Sequence, residues 1–220
     1  MQRTPEPELM LDPAQARAYA AADFDAPNAA FVEALLGRFP ELDGHLDVID
    51  LGCGPGEILI RLARLRPNWQ LLGVDGSAAM LDAGMDAIAE SGRESQITLL
   101  QALLGDETLP EASAGLVISN SLLHHLRDPA ALWRELRRLG APGAAVFVQD
   151  LRRPTDLAQA RALVETYAAT EPEVLQQDFF ASLLAAYTVE EVRAQLADAG
   201  LDLAVAETSD RHLQAWGRLP

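Results

Sequence analysis

The chain is 220 residues long, with 49% hydrophobic and 23% charged residues, the size and composition of one globular domain with a sizeable core. Its 33 acids outnumber 17 bases, and the net charge of −16 argues against a nucleic-acid or anionic-membrane partner. Every base is arginine and Cys53 is the one cysteine, which excludes lysine Schiff bases, a Walker phosphate loop, internal disulfides and cysteine-built zinc or iron–sulfur centres.

The opening residues, MQRTPEPELM, lack the apolar run of a signal peptide, and no stretch nears the ~18 apolar residues of a membrane span. A cytoplasmic location is expected. Asp12 and Pro13 open a first helix with Ala16, Tyr19 and Ala20 on one face, and residues 1–45 as a whole read as a helical lid.

From residue 46 the pattern changes. Apolar runs at Leu46–Leu51, Trp69–Asp75, Gln96–Ala102, Leu116–Asn120 and Ala144–Asp150 read as strands, and helical stripes lie between them. Ile58, Leu62 and Leu65 form a stripe that Pro67 ends. Ser77 caps a helix carrying Met80, Leu81, Gly84 and Ile88. Asp128 and Pro129 open another, with Leu132, Leu136 and Leu139 on one face. The connection from Leu103 to Gly115 is too short and broken for a helix. Such βαβα alternation predicts a parallel sheet with helices on both faces, an α/β three-layer Rossmann-like sandwich.

The end of the chain differs. Thr188 to Glu191 is a capping box that opens a helix with Val192, Leu196 and Ala199 inward, closed by Gly200. The runs Leu201–Glu207 and Arg211–Gly217 are joined too tightly for anything but an antiparallel hairpin. A single domain is therefore expected: lid 1–45, cofactor-binding core 46–150, helical insert 151–187, and C-terminal helix and hairpin 188–220.

The strongest local signal is VIDLGCGPGE, residues 48–57. A strand ends in Asp50, passes Gly52, Cys53, Gly54 and Gly56, and enters a helix, so a ligand can approach the backbone without β-carbons in the way. A dinucleotide fingerprint would need glycine where Glu57 stands, and a glutamate there would oppose a pyrophosphate. Twenty residues on, the second strand ends in Asp75-Gly76-Ser77, where a carboxylate can accept both ribose hydroxyls. A lone glycine-rich turn is often simple tight packing. With Asp75 in register, the pair describes a nucleoside without phosphates.

These motifs, with LVISNSLLHHLRDP and YTVEEVRAQLADAG, resemble a class I S-adenosylmethionine-dependent methyltransferase of the small-molecule type, over residues 44–218. The resemblance implies a seven-stranded, mostly parallel sheet with a reversed last strand, S-adenosyl-L-methionine as cofactor and S-adenosyl-L-homocysteine as product. It also implies that Gly52, Gly54 and Gly56, with Cys53, line the methionine and ribose side. Asp50 would then hold that loop, Asp75 would bind the ribose with Gly76 and Ser77 beside it, and Asn120 would close the set. The family's acid after the third strand has no counterpart in register. Gln101-Ala-Leu-Leu stands there, so the adenine contact falls on Asp106, a few residues late, or on the backbone near Leu103.

Methyl transfer from a sulfonium is an in-line displacement, helped mainly by positioning, and needs a base only when the nucleophile arrives protonated. His124 and His125 follow the fourth strand and are candidates for that role, set against ordinary framework packing; Tyr19 is a third candidate. Arg152 and Arg153, with Arg211 as a third, are candidates to grip an acceptor carboxylate, and Asp150 is a candidate on the same substrate side; the alternative is that these arginines pair with the chain's own acids. No ligand cluster with metal spacing is found, so no metal is expected. The expected partner is a small-molecule acceptor for O, N or S methylation, with no nucleic acid and no membrane, and a homodimer left open. The alternatives are a protein or peptide acceptor, or a cofactor-binding relative without methyl transfer.

Overall fold

The computed structural model describes residues 1–6 and 24–220. Helix α1 (Asp25–Arg38) precedes β1 (Leu46–Leu51), α2 (Glu57–Leu65), β2 (Trp69–Asp75), α3 (Ala78–Ser91) and β3 (Ile97–Gln101). Then come β4 (Ala114–Asn120), a 3-10 turn (Leu123–His125), α4 (Ala130–Leu139), β5 (Gly140–Leu151), α5 (Leu157–Tyr167), α6 (Glu173–Ala185), α7 (Val189–Asp198), β6 (Ala204–Glu207) and β7 (His212–Arg218). The seven strands form one sheet in the order β3-β2-β1-β4-β5-β7-β6. The first five are parallel, and β7 runs antiparallel to both β5 and β6. The expected α/β architecture with its terminal hairpin is the observed one.

Two apolar layers hold the sheet. On one face Val48, Leu71, Leu116, Ile118 and Phe147 pack beneath α1, α2 and α3; on the other Ile49, Val117, Val146 and Val148 pack beneath α4 and α7. Side chains alternate along each strand, so both faces of a central parallel strand are buried and its sequence is a near-continuous apolar run. The anticipated inward residues Met80, Leu81, Gly84 and Ile88 of α3 are buried, as are Leu132, Leu136 and Leu139 of α4. Ser77 caps α3, and both hydrogen bonds of the Thr188–Glu191 capping box are present. Residues 103–113 contain no helix.

Two expectations change. Leu65, the last residue of α2, is 53% exposed, although Ile58 and Leu62 of the same stripe are buried. The segment read as a lid divides: α1 buries Phe31, Val32 and Leu35 in the core, and the Phe31 ring meets Phe147 edge-on at 5.0 Å. That helix is core. The insert forms α5 and α6, which share a small separate cluster of Leu151, Leu163, Leu183 and Ala186. The helical face of Ala16, Tyr19 and Ala20 lies outside the described residues. Among the described residues no helix is long and apolar enough to cross a membrane.

The strand order reverses at β1, which has β2 on one side and β4 on the other. In open α/β sheets the crevice at the carboxyl ends beside such a switch is where ligands bind. The turn after β1 sits there.

Candidate active site

That turn is built by positive-φ glycines. Gly52, Gly54 and Gly56 have φ of 73°, 53° and 76°, a backbone other residues reach only with strain. The amides of Gly52 and Cys53 both donate to the Val74 carbonyl, at 2.8 and 3.1 Å, which ties the turn to β2. One strand over, Asp75 Oδ2 accepts from the Gly54 amide at 2.9 Å and Oδ1 from the Ser77 amide at 2.8 Å. This single carboxylate therefore braces the turn after β1 and the start of α3 together. Gly76, between them, lines a cavity of about 530 Å³ with residues 101–106. Leu103, 57% exposed, offers that space an apolar side chain. Asp106 is partly committed elsewhere: its Oδ1 accepts from the Thr108 amide and hydroxyl at 2.8 and 2.7 Å, which holds its carboxyl below the usual range.

Beneath the turn lies Asp50, 1% exposed, with Oδ1 lacking any hydrogen-bond partner. Burial, reinforced by the neighbouring Asp75 charge, pushes its carboxyl up to about 8. The same burial, with Asp50 and Asp75 adding to it, pushes the Cys53 thiol well up, so that sulfur is not a thiolate nucleophile near neutral pH. A buried carboxylate oxygen without a donor, below a turn whose Gly52, Gly54 and Gly56 carry no β-carbon, suits a ligand carrying an ammonium group and a ribose. Those are two parts of S-adenosylmethionine.

The other half of the site follows β4. Asn120 Oδ1 accepts from Gln149 at 3.2 Å, and Gln149 in turn accepts from Gln214 at 2.9 Å, an amide row across β4, β5 and β7. Asp150 lies fully buried beside this row, with Oδ2 accepting from the Leu123 amide at 2.7 Å and Oδ1 2.6 Å from His124 Nδ1. Both oxygens thus hold the turn after β4. Burial alone would favour the neutral His124 imidazole, but the Asp150 carboxylate, aided by Glu6, outweighs it and raises the pKa. His124 Nε2 lies 3.5 Å from Glu6 Oε1, and His125 Nδ1 lies 3.0 Å from the same oxygen. Arg3 completes the junction, stacking over Tyr187 at 4.1 Å and donating to the carbonyls of His124 and Leu126.

The arginines weighed as carboxylate grips pair with groups of the chain itself. Arg153 is buried with Nη2 2.6 Å from Glu191, Arg152 bonds the Asp210 carbonyl and pairs with Glu207, and Arg211 stacks over Tyr167 beside Asp210. The Nε atoms of Arg152 and Arg153 are buried without a hydrogen-bond partner. Tyr19 lies outside the described residues. Glu6 and Arg3 were not singled out from the sequence, because nothing local marks two residues of a polar terminus as contacts of a turn far along the chain. The same gap left the Glu6, His124 and His125 cluster unanticipated, since two of its members are neighbours and the third is remote.

Residues 49–146, spanning the glycine turn to the middle of β5, match the family model of the methyltransferase domain. The chain is similar to the S-adenosylmethionine-dependent methyltransferases over this stretch. The chain is 36% identical over 132 residues to a trans-aconitate 2-methyltransferase of Azoarcus sp. (strain BH72), covering 60% of the chain and 49% of that protein. It is 31% identical over 118 residues to a malonyl-[acyl-carrier protein] O-methyltransferase of Hahella chejuensis, covering 52% and 40% respectively. The chain thus spans half or less of the length of these curated relatives. The fold matches a SAM-dependent methyltransferase structure from Aquifex aeolicus with TM-score 0.71 and 18% identity, over 96% of this chain and 100% of that one. S-adenosylmethionine is the cofactor of that family, and the orphan oxygen of Asp50, the glycine-rich turn and the Asp75 brace fit it.

Proposed function

We propose that the protein moves the methyl group of S-adenosylmethionine to a nucleophilic atom of a small-molecule acceptor by in-line displacement. The observation that carries the reading is the Gly52–Gly56 turn, braced by Asp75 and floored by the unpartnered oxygen of Asp50. When bound, S-adenosylmethionine supplies an activated methyl group; the chain supplies position. Asp75 presents a carboxylate to the ribose side, Asp50 an acceptor to the ammonium end, and residues 101–106 a pocket wall to the base. Asn120 and the turn after β4 stand across from these at the same end of the sheet, where the acceptor enters. Both relatives act on compounds named as acids or their acyl derivatives, which favours a carboxylate acceptor. Such a nucleophile arrives ionised and needs no base. His124, 3% exposed and held on Asp150, serves to position the turn.

Calorimetry with S-adenosylhomocysteine, followed by detection of that product in a screen of small carboxylic acids, tests this directly. Binding and turnover are expected. Asp75→Ala, which removes two charge-assisted acceptors, is expected to weaken the ligand by about 1–3 kcal/mol. Binding of NADH in place of S-adenosylhomocysteine would overturn the reading.

A further inference from the structure

We propose that Glu6, His124 and His125 form a binding site for one divalent transition-metal ion of the zinc class, with one coordination position left open. The proposal stands apart from the methyl-transfer reading.

Two imidazoles and one carboxylate are a donor set that favours zinc and its first-row neighbours over magnesium or calcium, which take oxygen ligands. The three ligand atoms lie within 4.8 Å of one another. With metal–ligand bonds of about 2.0–2.1 Å, the edge of a tetrahedral site is about 3.4 Å. The Glu6 oxygen is 3.5 Å from His124 Nε2 and 3.0 Å from His125 Nδ1, so little movement closes the set.

Direction matters as much as distance. His125 Nδ1 is buried and makes no hydrogen bond even though a carboxylate oxygen is 3.0 Å away. A nitrogen and an oxygen that close, without the alignment of a hydrogen bond, are oriented as two donors facing a shared point. The far side of His124 supports the same assignment. Its Nδ1 is held by Asp150 at 2.6 Å, the carboxylate–histidine arrangement that fixes the tautomer and turns the Nε2 lone pair toward a metal. Ser182 Oγ donates to Glu6, at 3.1 Å to Oε1, so the third ligand is fixed too. The tilted histidine rings, 4.1 Å between centroids, hold their angle by contact. Glu6 and Asp150 together match the charge of a divalent ion. His125, 29% exposed at its side chain, marks the side on which water or another oxygen donor takes the open position.

The test uses the full chain, freed of metal by a chelator and titrated with Zn²⁺ by calorimetry and with Co²⁺ by visible absorption. One saturating equivalent is expected, with the intense Co²⁺ absorption of a low-coordinate site containing nitrogen ligands. Glu6→Gln and His125→Ala should each weaken binding at least tenfold, about 1.4 kcal/mol. A double variant, His45→Ala with His212→Ala, should bind as the unaltered protein does. Zn²⁺ should also raise the melting temperature of the unaltered protein through linkage, and not that of Glu6→Gln. If a variant fails to fold, the Co²⁺ spectrum of the unaltered protein decides. No saturable binding, or an affinity in both site variants equal to that of the unaltered protein, overturns the proposal and leaves the cluster as a metal-free latch of the amino terminus. Binding of S-adenosylhomocysteine, measured on the same samples, reports the cofactor site separately.

Discussion

Asp50 sits in an environment far from that of a free side chain. A carboxyl normally near 3.8 is held protonated to about pH 8 by burial and by the Asp75 charge. The folded chain therefore binds more protons here than the unfolded chain does between about pH 4 and 8. This contribution to stability is complete below pH 4 and is lost as pH rises through 8. Denaturant titrations should show that slope, and Asp50→Asn should flatten it; an unchanged slope would mean that another group titrates. A cationic ligand group beside the carboxyl would favour the charged form. We therefore expect S-adenosylhomocysteine binding at pH 7 to release close to one proton, read from calorimetry in buffers of different ionisation enthalpy. Asp50→Asn should abolish the buffer dependence. The sequence placed Asp50 at the end of a strand, beneath the glycine turn, but its lack of a partner depends on everything packed around it. That is not a local property.

At the scale of elements, legibility followed sequence distance. β1 and β2 lie where their apolar runs lie, and α7 begins at its capping box, because each signal is contained in a few neighbouring residues. The order of strands and the reach of Arg3 and Glu6 to the turn after β4 join distant parts of the chain, and no window of sequence carries them. Helix α1 is an intermediate case. Phe31, Val32 and Leu35 make a visible stripe, yet nothing in the stripe says whether it covers a ligand or a sheet. The structure places it on the sheet. Phe31→Ala should accordingly cost about 3–5 kcal/mol in chemical denaturation, as loss of a fully buried ring does. A loss under about 1 kcal/mol would return α1 to the role of a detachable cover. Removal of the chain through residue 30 would take the start of a core helix and destabilise the fold. The arginines after β5 teach the reverse lesson. Their position at the ligand end of the sheet was legible, but their engagement with Glu191, Glu207 and Asp210 was not, because those acids belong to α7 and the β6–β7 hairpin.

The whole molecule carries a net charge of −16 with no lysine, and two electrostatic effects of opposite sign act on it. Arginine–acid pairs such as Arg134–Asp128, both exposed, stabilise the fold weakly, typically by 0–1 kcal/mol, and weaken as salt rises. Mutual repulsion among the excess acids destabilises the compact state, and salt relieves it. Pairing every arginine would still leave the full net charge spread over the surface, so repulsion should win. Raising NaCl from about 10 mM to about 150 mM shortens the screening length from ~30 to ~8 Å, enough to separate acids on different elements. We expect the melting temperature at pH 7 to rise over that range, with each 1 kcal/mol of relief appearing as about 2–4 °C in a chain of this size. Near pH 4.5, where the net charge vanishes, the same titration should leave the melting temperature flat or lower it, because only the ion pairs then remain to be screened. A fall with salt at pH 7 would mean that the arginine pairs, and not the surplus acids, dominate the electrostatics of the fold.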